Sequence, residues 1–330
     1  MTESPLPDPA VRFLAPEEAE ELTRLVRRCY GDTYDAAWVY DPPAIADRIR
    51  AGTLSSVVGA TASGELVGHL GLSRRRPADD VLEAGQAVVD PAFRGHQLFT
   101  VLKRRAAEWA GTAGVCGLFS EATAAHPYSQ RANVALGAVE TGLLLGYIPA
   151  TVEYTAIDAR PHRQSVVLFY LKTNDGHRRP IYAPACDRAM VEGIVIAAGL
   201  RGVVTDADAN APTPTTSDLH VEARVDHNHL LVTARTVGAD LASQVEVART
   251  DAVARGIDCV YLDLPLADPA TAAVGDAVRE LGFRFGGVFP NWLHDCDVLR
   301  YQYLNQVDVD TGDVVVASPH GQALLDYVTS

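Results

Sequence analysis

The chain lacks several features that would assign it to a functional class at once. No run of about 18 consecutive apolar residues occurs, so no membrane-spanning helix is expected and a membrane is not an expected partner. The opening residues, Met1 to Ala10, are acidic and proline-rich where a secretory leader would be basic and then apolar. Cation clusters are missing too: 28 Lys and Arg stand against 42 Asp and Glu, a net charge of −14. Nucleic acid is therefore not expected as a partner, because a polyanion needs clustered positive charge. A small anionic ligand held by local groups stays open. The five cysteines, Cys29, Cys116, Cys186, Cys259 and Cys296, are odd in number, widely spaced and without a CxxC pair. That pattern favours free buried thiols in a reducing cytoplasm over disulfides or zinc. With only two methionines and abundant Ala, Arg, Asp and Val, the composition suits a GC-rich bacterial genome.

What is present is a soluble globular chain of 330 residues, 48% hydrophobic and 21% charged, long enough for two domains. Val11–Ala15 reads as a strand, and Pro16-Glu17-Glu18 opens a helix with acidic residues at its positive end. Leu22, Leu25, Val26 and Cys29 form that helix's apolar stripe, and Gly31 ends it. Tyr30, Tyr34, Trp38 and Tyr40 follow, either packing two helices or, through Tyr34 and Trp38, lining an acceptor pocket. A second helix starts at Pro42-Pro43 and ends at Gly52. Ser56–Thr61 and Glu65–Leu72 flank the turn Ala62-Ser63-Gly64 as a hairpin, and Arg74-Arg75-Arg76 fits a solvated loop.

The most informative stretch is Glu83 to Glu108. The strand Val81–Val89 turns at Asp90-Pro91 into a polar loop, Arg94-Gly95-His96-Gln97, and then into a helix running to about Ala113. Leu98, Val101, Leu102, Arg105 and Trp109 give the helix its expected stripe. Strand, glycine-containing loop and helix start aim free N–H groups and a positive helix end at one point, which suits a phosphate. Further strands are expected at Val115–Ser120, Thr141–Tyr147 and Val166–Leu171, with a short helix at Ser129–Leu136 ended by Gly137.

This order, with Ala87-Val88-Val89-Asp90-Pro91-Ala92-Phe93-Arg94-Gly95-His96-Gln97-Leu98-Phe99 after the fourth strand, resembles the GNAT superfamily of N-acetyltransferases. The loop fits the family's V-x-P-x-x-R-G-x-G-x-G/A pattern, and Leu136-Gly137 fits its later L-G-F element. The resemblance covers residues 11–172 and implies an α/β (α+β) fold, a mixed central sheet flanked by helices. It also implies acetyl-CoA, or another acyl-CoA, as co-substrate and no metal. The cofactor contacts then fall on Val88, Val89, Arg94, Gly95, His96, Gln97, Leu98 and Phe99. Gln97 and Phe99 depart from the pattern, which usually has small residues there.

Residues 173–217 read as a connector, with a helix over 184–199 and the polar stretch Asp206–Ser217. From 218 onward the elements run β-β-α-β-α-β-β, with hairpin strands at Leu219–Val225 and Leu230–Thr236. Arg279-Glu280-Leu281-Gly282-Phe283 carries the L-G-F helix end, but Val237-Gly238-Ala239 has no Arg-Gly loop. The expectation is tandem GNAT-like domains: 1–172 binding acyl-CoA, 173–217 connecting, and 218–330 a degenerate second copy.

Transfer from a thioester to an amine needs a proton acceptor for the amine, polarisation of the carbonyl and a leaving thiolate. Glu83, eleven residues before Arg94 on the same strand, matches the place where some family members carry a catalytic glutamate. Glu121, at the end of the fifth strand, is a second carboxylate. At the family's usual tyrosine acid stands Asn133, which leaves His126, Tyr128 and Ser129 as candidates by proximity. Asp226-His227-Asn228-His229, near His220, fits a polar turn better than a metal site. Asn291-Trp292-Leu293-His294-Asp295 fits a surface loop. The expected function is N-acetylation of a small-molecule amine in the cytoplasm, by a monomer or homodimer. The alternatives are a non-catalytic CoA-binding or regulatory module, or an enzyme acting on protein or peptide amines.

Overall fold

The computed structural model describes residues 9–32, 34, 36–74, 79–150, 162–208, 212–293 and 296–330. Arg75, Arg76, His294, Asp295 and residues 209–211 of the polar stretch lie outside them. Among the described residues the chain forms two compact units, parted between Ser120 and Glu121. Compactness thus divides the chain well before 172, where the sequence pattern suggested a boundary.

The first unit contains strand β1 (Ala10–Phe13), helices α1 (Ala19–Tyr30) and α2 (Pro42–Arg50), strands β2 (Leu54–Ala60), β3 (Leu66–Ser73) and β4 (Val81–Val89), helix α3 (Leu98–Thr112), and the start of β5 (Gly117–Thr123). Its strands lie in the order β1-β2-β3-β4-β5, antiparallel throughout except for the parallel pair β4–β5. Pro16 opens the turn into α1, where the Glu18 carboxylate accepts from the Ala15 N–H at 2.9 Å, and Gly31, at φ +60°, ends the helix. Leu22, Leu25, Val26 and Cys29 are buried as expected, with Ile45 of α2, against Val58, Leu66 and Val88.

Helix α3 covers the opposite side of the sheet, over Gly59, which alternates with Val58. A Cβ at Gly68 would meet Leu98 at 2.8 Å and Leu102 at 3.1 Å, so these glycines let the helix come close. That approach rotates the helix away from its expected stripe. Leu98, Leu102, Lys103, Ala106 and Ala110 are buried, whereas Val101 is 40% exposed and Arg105 is exposed. Small alanines replace Val101 and Arg105 at the contact because the gap is narrow. Trp109 sits at the rim, 5.3 Å from the Phe13 ring.

The second unit contains α4 (Tyr128–Ala135), β6 (Val139–Ile148), β7 (Gln164–Lys172), β8 (Arg179–Ile181), α5 (Arg188–Ala197), β9 (Gly202–Val204), β10 (Asp218–Arg224), β11 (His229–Thr236), α6 (Leu241–Ala254), β12 (Cys259–Pro265), α7 (Thr271–Glu280), β13 (Arg284–Leu293), β14 (Cys296–Leu304) and α8 (Pro319–Thr329). Here the strand order is β7-β6-β13-β14-β12-β11-β10, with β8 and β9 as a separate parallel pair. Element by element and sense by sense, β10-β11-α6-β12 repeats the connection β3-β4-α3-β5 of the first unit. Strands β6 and β13 touch backbone to backbone at Gly142 and Gly287, where any Cβ would collide with the facing chain. Two buried polar clusters stand out in this core: Arg300 holds Asp263 at 2.6 and 2.7 Å, and Asp187 accepts from Tyr301, Tyr327 and Arg279.

Candidate active site

The first unit's parallel pair is short. Strands β4 and β5 match at Val81–Gly117, Leu82–Leu118 and Glu83–Phe119, and among the described residues no further rung of this pair follows. From Ala84 to Val89, β4 stays hydrogen-bonded to β3 only, so alternate N–H and C=O groups along its other edge are left for a ligand. A ladder that opens in this way offers backbone pairing to any extended molecule bearing amides.

The open edge leads directly into the loop. Asp90 caps the turn after β4, its Oδ1 accepting from Ala92 N at 3.0 Å, while its Oδ2 accepts from Arg28 Nε at 2.6 Å. Asp90's carboxyl lies below the usual carboxylate range; burial opposes the shift, and the Arg28 and Ala92 hydrogen bonds outweigh it. Arg94 turns its Nε to Val89 O at 3.3 Å and stays exposed, as do Gly95, His96 and Gln97. Gly95 at φ +83° and Gln97 at φ +58° are both left-handed. The Gln97 position therefore has the geometry that glycine prefers, and glutamine adopts it at a cost of about 1 kcal/mol. Gln97 is the N-cap of α3, and no side chain caps the helix there. The N–H groups of Leu98, Phe99 and Thr100 precede the first helical bond, Val101 N to Gln97 O, and point at the exposed loop. An added Cβ at Gly95 would meet nothing within 4 Å, so the cradle has room. The cofactor set read from the sequence is thus contiguous: Val88, Val89, Arg94, Gly95, His96, Gln97, Leu98 and Phe99 follow one another along strand, loop and helix start.

Glu83 sits on the last shared rung, half-buried. Its Oε1 lies 3.0 Å from where a Cβ on Gly85 would be, so the glycine makes room for the carboxylate. Immediately beyond, β4 bulges: Gln86 takes φ +47° and the register to β3 slips between His69 and Gly71. The buried His69 ring braces the bulge, with Nδ1 2.8 Å from Gln86 O and Nε2 3.1 Å from Ser56 Oγ. Burial lowers its pKa to about 4, so the ring is neutral near pH 7, with Nδ1–H donating and Nε2 accepting.

The remaining catalytic candidates lie in the second unit. Glu121 is exposed; burial opposes the upward shift of the Arg300 pKa, Asp263 dominates it, and the Glu121 charge adds to it. His126 and Tyr128 have ring centroids 4.9 Å apart, and Tyr128 is 72% exposed. Ser129 is half-buried and Asn133 fully buried. Gln130 anchors this turn, donating to Thr123 O at 3.0 Å and Val315 O at 2.7 Å and accepting from Ala317 N.

Tyr34 and Trp38 pack on the first unit's core: Tyr30 meets Tyr34 edge-on at 5.0 Å, Tyr40 Oη accepts from Tyr34 N, and Arg48 stacks on Trp38 at 4.8 Å. Both rings take part in this packing. Lys103 escapes sequence reasoning altogether. It is 1% exposed under α3, donates to Ser120 Oγ at 2.7 Å, and burial brings its pKa down to about 7. The signal available was its place one turn after Phe99, on the face with Ala106 and Ala110. Among the described residues no group of three or more His, Cys, Asp or Glu could hold a metal, and no helix is long and apolar enough to cross a membrane. All five cysteines are free thiols.

Residues 19–162 match the family model described as acetyltransferase (GNAT) family. No curated protein matches the chain. Among solved structures, a spermidine N-acetyltransferase SpeG chimera from Vibrio cholerae and hSSAT is 17% identical, covering 50% of this chain and 95% of its own, with a TM-score of 0.39. The ribosomal-protein-S5-alanine acetyltransferase from Vibrio fischeri is 13% identical, over 50% of this chain and 93% of its own, with a TM-score of 0.41. The protein yncA from Salmonella typhimurium, solved with its cofactor acetyl-CoA, is 16% identical over 52% of this chain and 97% of its own, with a TM-score of 0.41.

Proposed function

We propose that the chain, whose residues 19–162 match the acetyltransferase (GNAT) family model, uses acetyl-CoA, or another acyl-CoA, to N-acylate a small-molecule amine. The observation that carries this reading is the parallel pair that opens after Glu83–Phe119 and ends in an uncapped helix start. The free edge of β4 around Val88 and Val89 pairs with the amides of the pantetheine arm. The N–H groups from Gly95 to Phe99, with the α3 dipole, hold the pyrophosphate, and Arg94 adds a charge. The co-substrate supplies an activated acyl group and a thiolate that leaves readily.

Glu83 takes the proton of the incoming ammonium, directly or through one water, and keeps the amine nucleophilic. Gly85 holds open the space its carboxylate occupies. With Asn133 in the usual acid position, the leaving thiolate takes its proton from Tyr128, His126, Ser129 or solvent; Glu121 is the reserve carboxylate. On this reading residues 218–330 are a degenerate GNAT-like copy. Its parallel pair β11–β12 stays zipped for five rungs, His229–Cys259 to Thr233–Asp263, which leaves no open edge for a pantetheine arm.

Isothermal titration with acetyl-CoA and longer acyl-CoAs tests the reading, and absence of binding at millimolar ligand overturns it. In the enzyme, Glu83→Gln lowers kcat roughly 10²- to 10⁴-fold with little change in acyl-CoA affinity. Unchanged turnover removes Glu83 as base. Binding without transfer to any amine identifies a CoA-binding module instead, and preference for peptides over free amines identifies a protein acetyltransferase.

A further inference from the structure

Strand β10 stands at the end of its sheet, paired on one side with β11 and with no strand on the other among the described residues. It is also bare. Of Asp218-Leu219-His220-Val221-Glu222-Ala223-Arg224 only Leu219 is half-buried; the other six are exposed, with Val221 at 49%. A strand edge carries a row of N–H and C=O groups ready to pair with another chain, and proteins usually blunt such edges with repelling charge. The charges here do the reverse.

By strand alternation Asp218, His220, Glu222 and Arg224 share one face, and Leu219, Val221 and Ala223 the other. If β10 meets a second β10 antiparallel across a two-fold axis, facing residues must lie on the same side of the sheet. The axis then falls on a residue. Centred on Val221, it sets Asp218 opposite Arg224 and His220 opposite Glu222, each twice, with Val221 facing itself and Leu219 facing Ala223. Moving the centre to His220 sets Asp218 against Glu222. Moving it to Glu222 sets that carboxylate against its own copy and His220 against Arg224. Centring on Leu219 or Ala223 sets Asp218 against His220 or Glu222 against Arg224, but each pairs only three residues of the strand. The Val221 register alone pairs all seven, with no like charges facing and the apolar residues stacked on the other face.

We propose that this chain self-associates through β10, antiparallel about Val221, so that the sheet of the second unit continues into a second copy. The occupant of the edge is the chain itself because the edge is complementary to itself, as a closed two-fold contact requires. Opposite charges directly across a strand pair are favourable, and like charges unfavourable. Competing contacts are weak. Arg224 lies 3.4 Å from Glu222 and Arg235 4.0 Å from Asp218, all about half exposed, the range in which surface pairs contribute little. Seven residues a side make a small interface, so the dimer exchanges with monomer as concentration changes.

Sedimentation equilibrium of the full chain over a concentration series reads the association. The wild type is expected to shift from monomer to dimer with rising concentration, less so in high salt. Arg224→Asp places aspartate opposite Asp218 at both ends, and is expected to raise the dissociation constant at least tenfold. Adding Asp218→Arg restores the complementary order and is expected to restore the dimer. Wild-type protein monomeric throughout overturns the proposal, as does a single variant as dimeric as wild type or a folded double variant left monomeric. Hydrogen exchange of wild-type protein gives an arm without variants. Amides of β10 gain protection as concentration rises, and unchanged protection alongside dimerisation places the interface elsewhere and overturns the β10 assignment.

Discussion

Gly85 and Glu83 show how one residue prepares another. An alanine at 85 would bring its Cβ to 3.0 Å from Glu83 Oε1, a tight contact that the carboxylate escapes by turning away. Gly85→Ala is accordingly expected to lower kcat about tenfold or more while acyl-CoA affinity, measured by calorimetry, stays near wild type. His69 makes a pH prediction. Its ordinary pKa is 6.5 and its folded value about 4, so the unfolded chain takes up a proton that the folded ring refuses. Its contribution to stability is full above pH 6.5 and is lost as pH falls toward 4. Denaturant melts across this window should show the loss, with a shallower slope in His69→Gln. Glu83 could be nominated from the sequence because its distance from the Arg-Gly loop, the one at which some members of the resembled family carry a glutamate, is visible along the chain. It could not reach Gly85's clearance or the neutral His69, which depend on which atoms meet across β3 and β4.

At the scale of elements, most strands and helices were legible and their contacts were not. Alternation located β4 and helical spacing located α3, yet α3 turned a different face inward. Spacing alone cannot know that Gly59 and Gly68 lie beneath and admit only a close-packed helix. Helix α8 went unread although Ser318 caps it, accepting from Gly321 N at 2.9 Å, and Pro319 opens it. The pair β8–β9, of three residues each, is too short for alternation to register. Contact between β6 and β13 depends on Gly142 facing Gly287 without side chains. Gly142→Ala drives a methyl group into the Gly286 carbonyl and is expected to cost about 3 kcal/mol or more, as overpacking at rigid backbone does. A thermal melt unchanged from wild type would show that the strands can move apart.

For the whole molecule, the parallel pairs β4–β5 and β11–β12 make a difference that can be counted. One opens after three rungs and the other stays closed for five. Acyl-CoA is therefore expected to bind with a stoichiometry of one per chain; a second equivalent in calorimetry would mean that β11 and β12 separate. The repeated element order was visible in the sequence. The break at Ser120–Glu121 was not, because compactness depends on contacts between segments far apart in the chain. Under the proposed acyl-CoA chemistry, the burial of the thiols has a further meaning. Cys29, Cys186, Cys259 and Cys296 are pushed up to about 11, chiefly by burial, so at neutral pH almost none is thiolate. The chain has only two lysines: Lys103 is enclosed, and Lys172 is held by Asp175 at 2.6 Å and Gly199 O at 2.7 Å. These thiols and lysines offer the proposed thioester almost no competing nucleophile. Prolonged incubation with acetyl-CoA should leave these side chains unacylated in peptide mapping, so that the acyl group is spent on the acceptor and not on the enzyme.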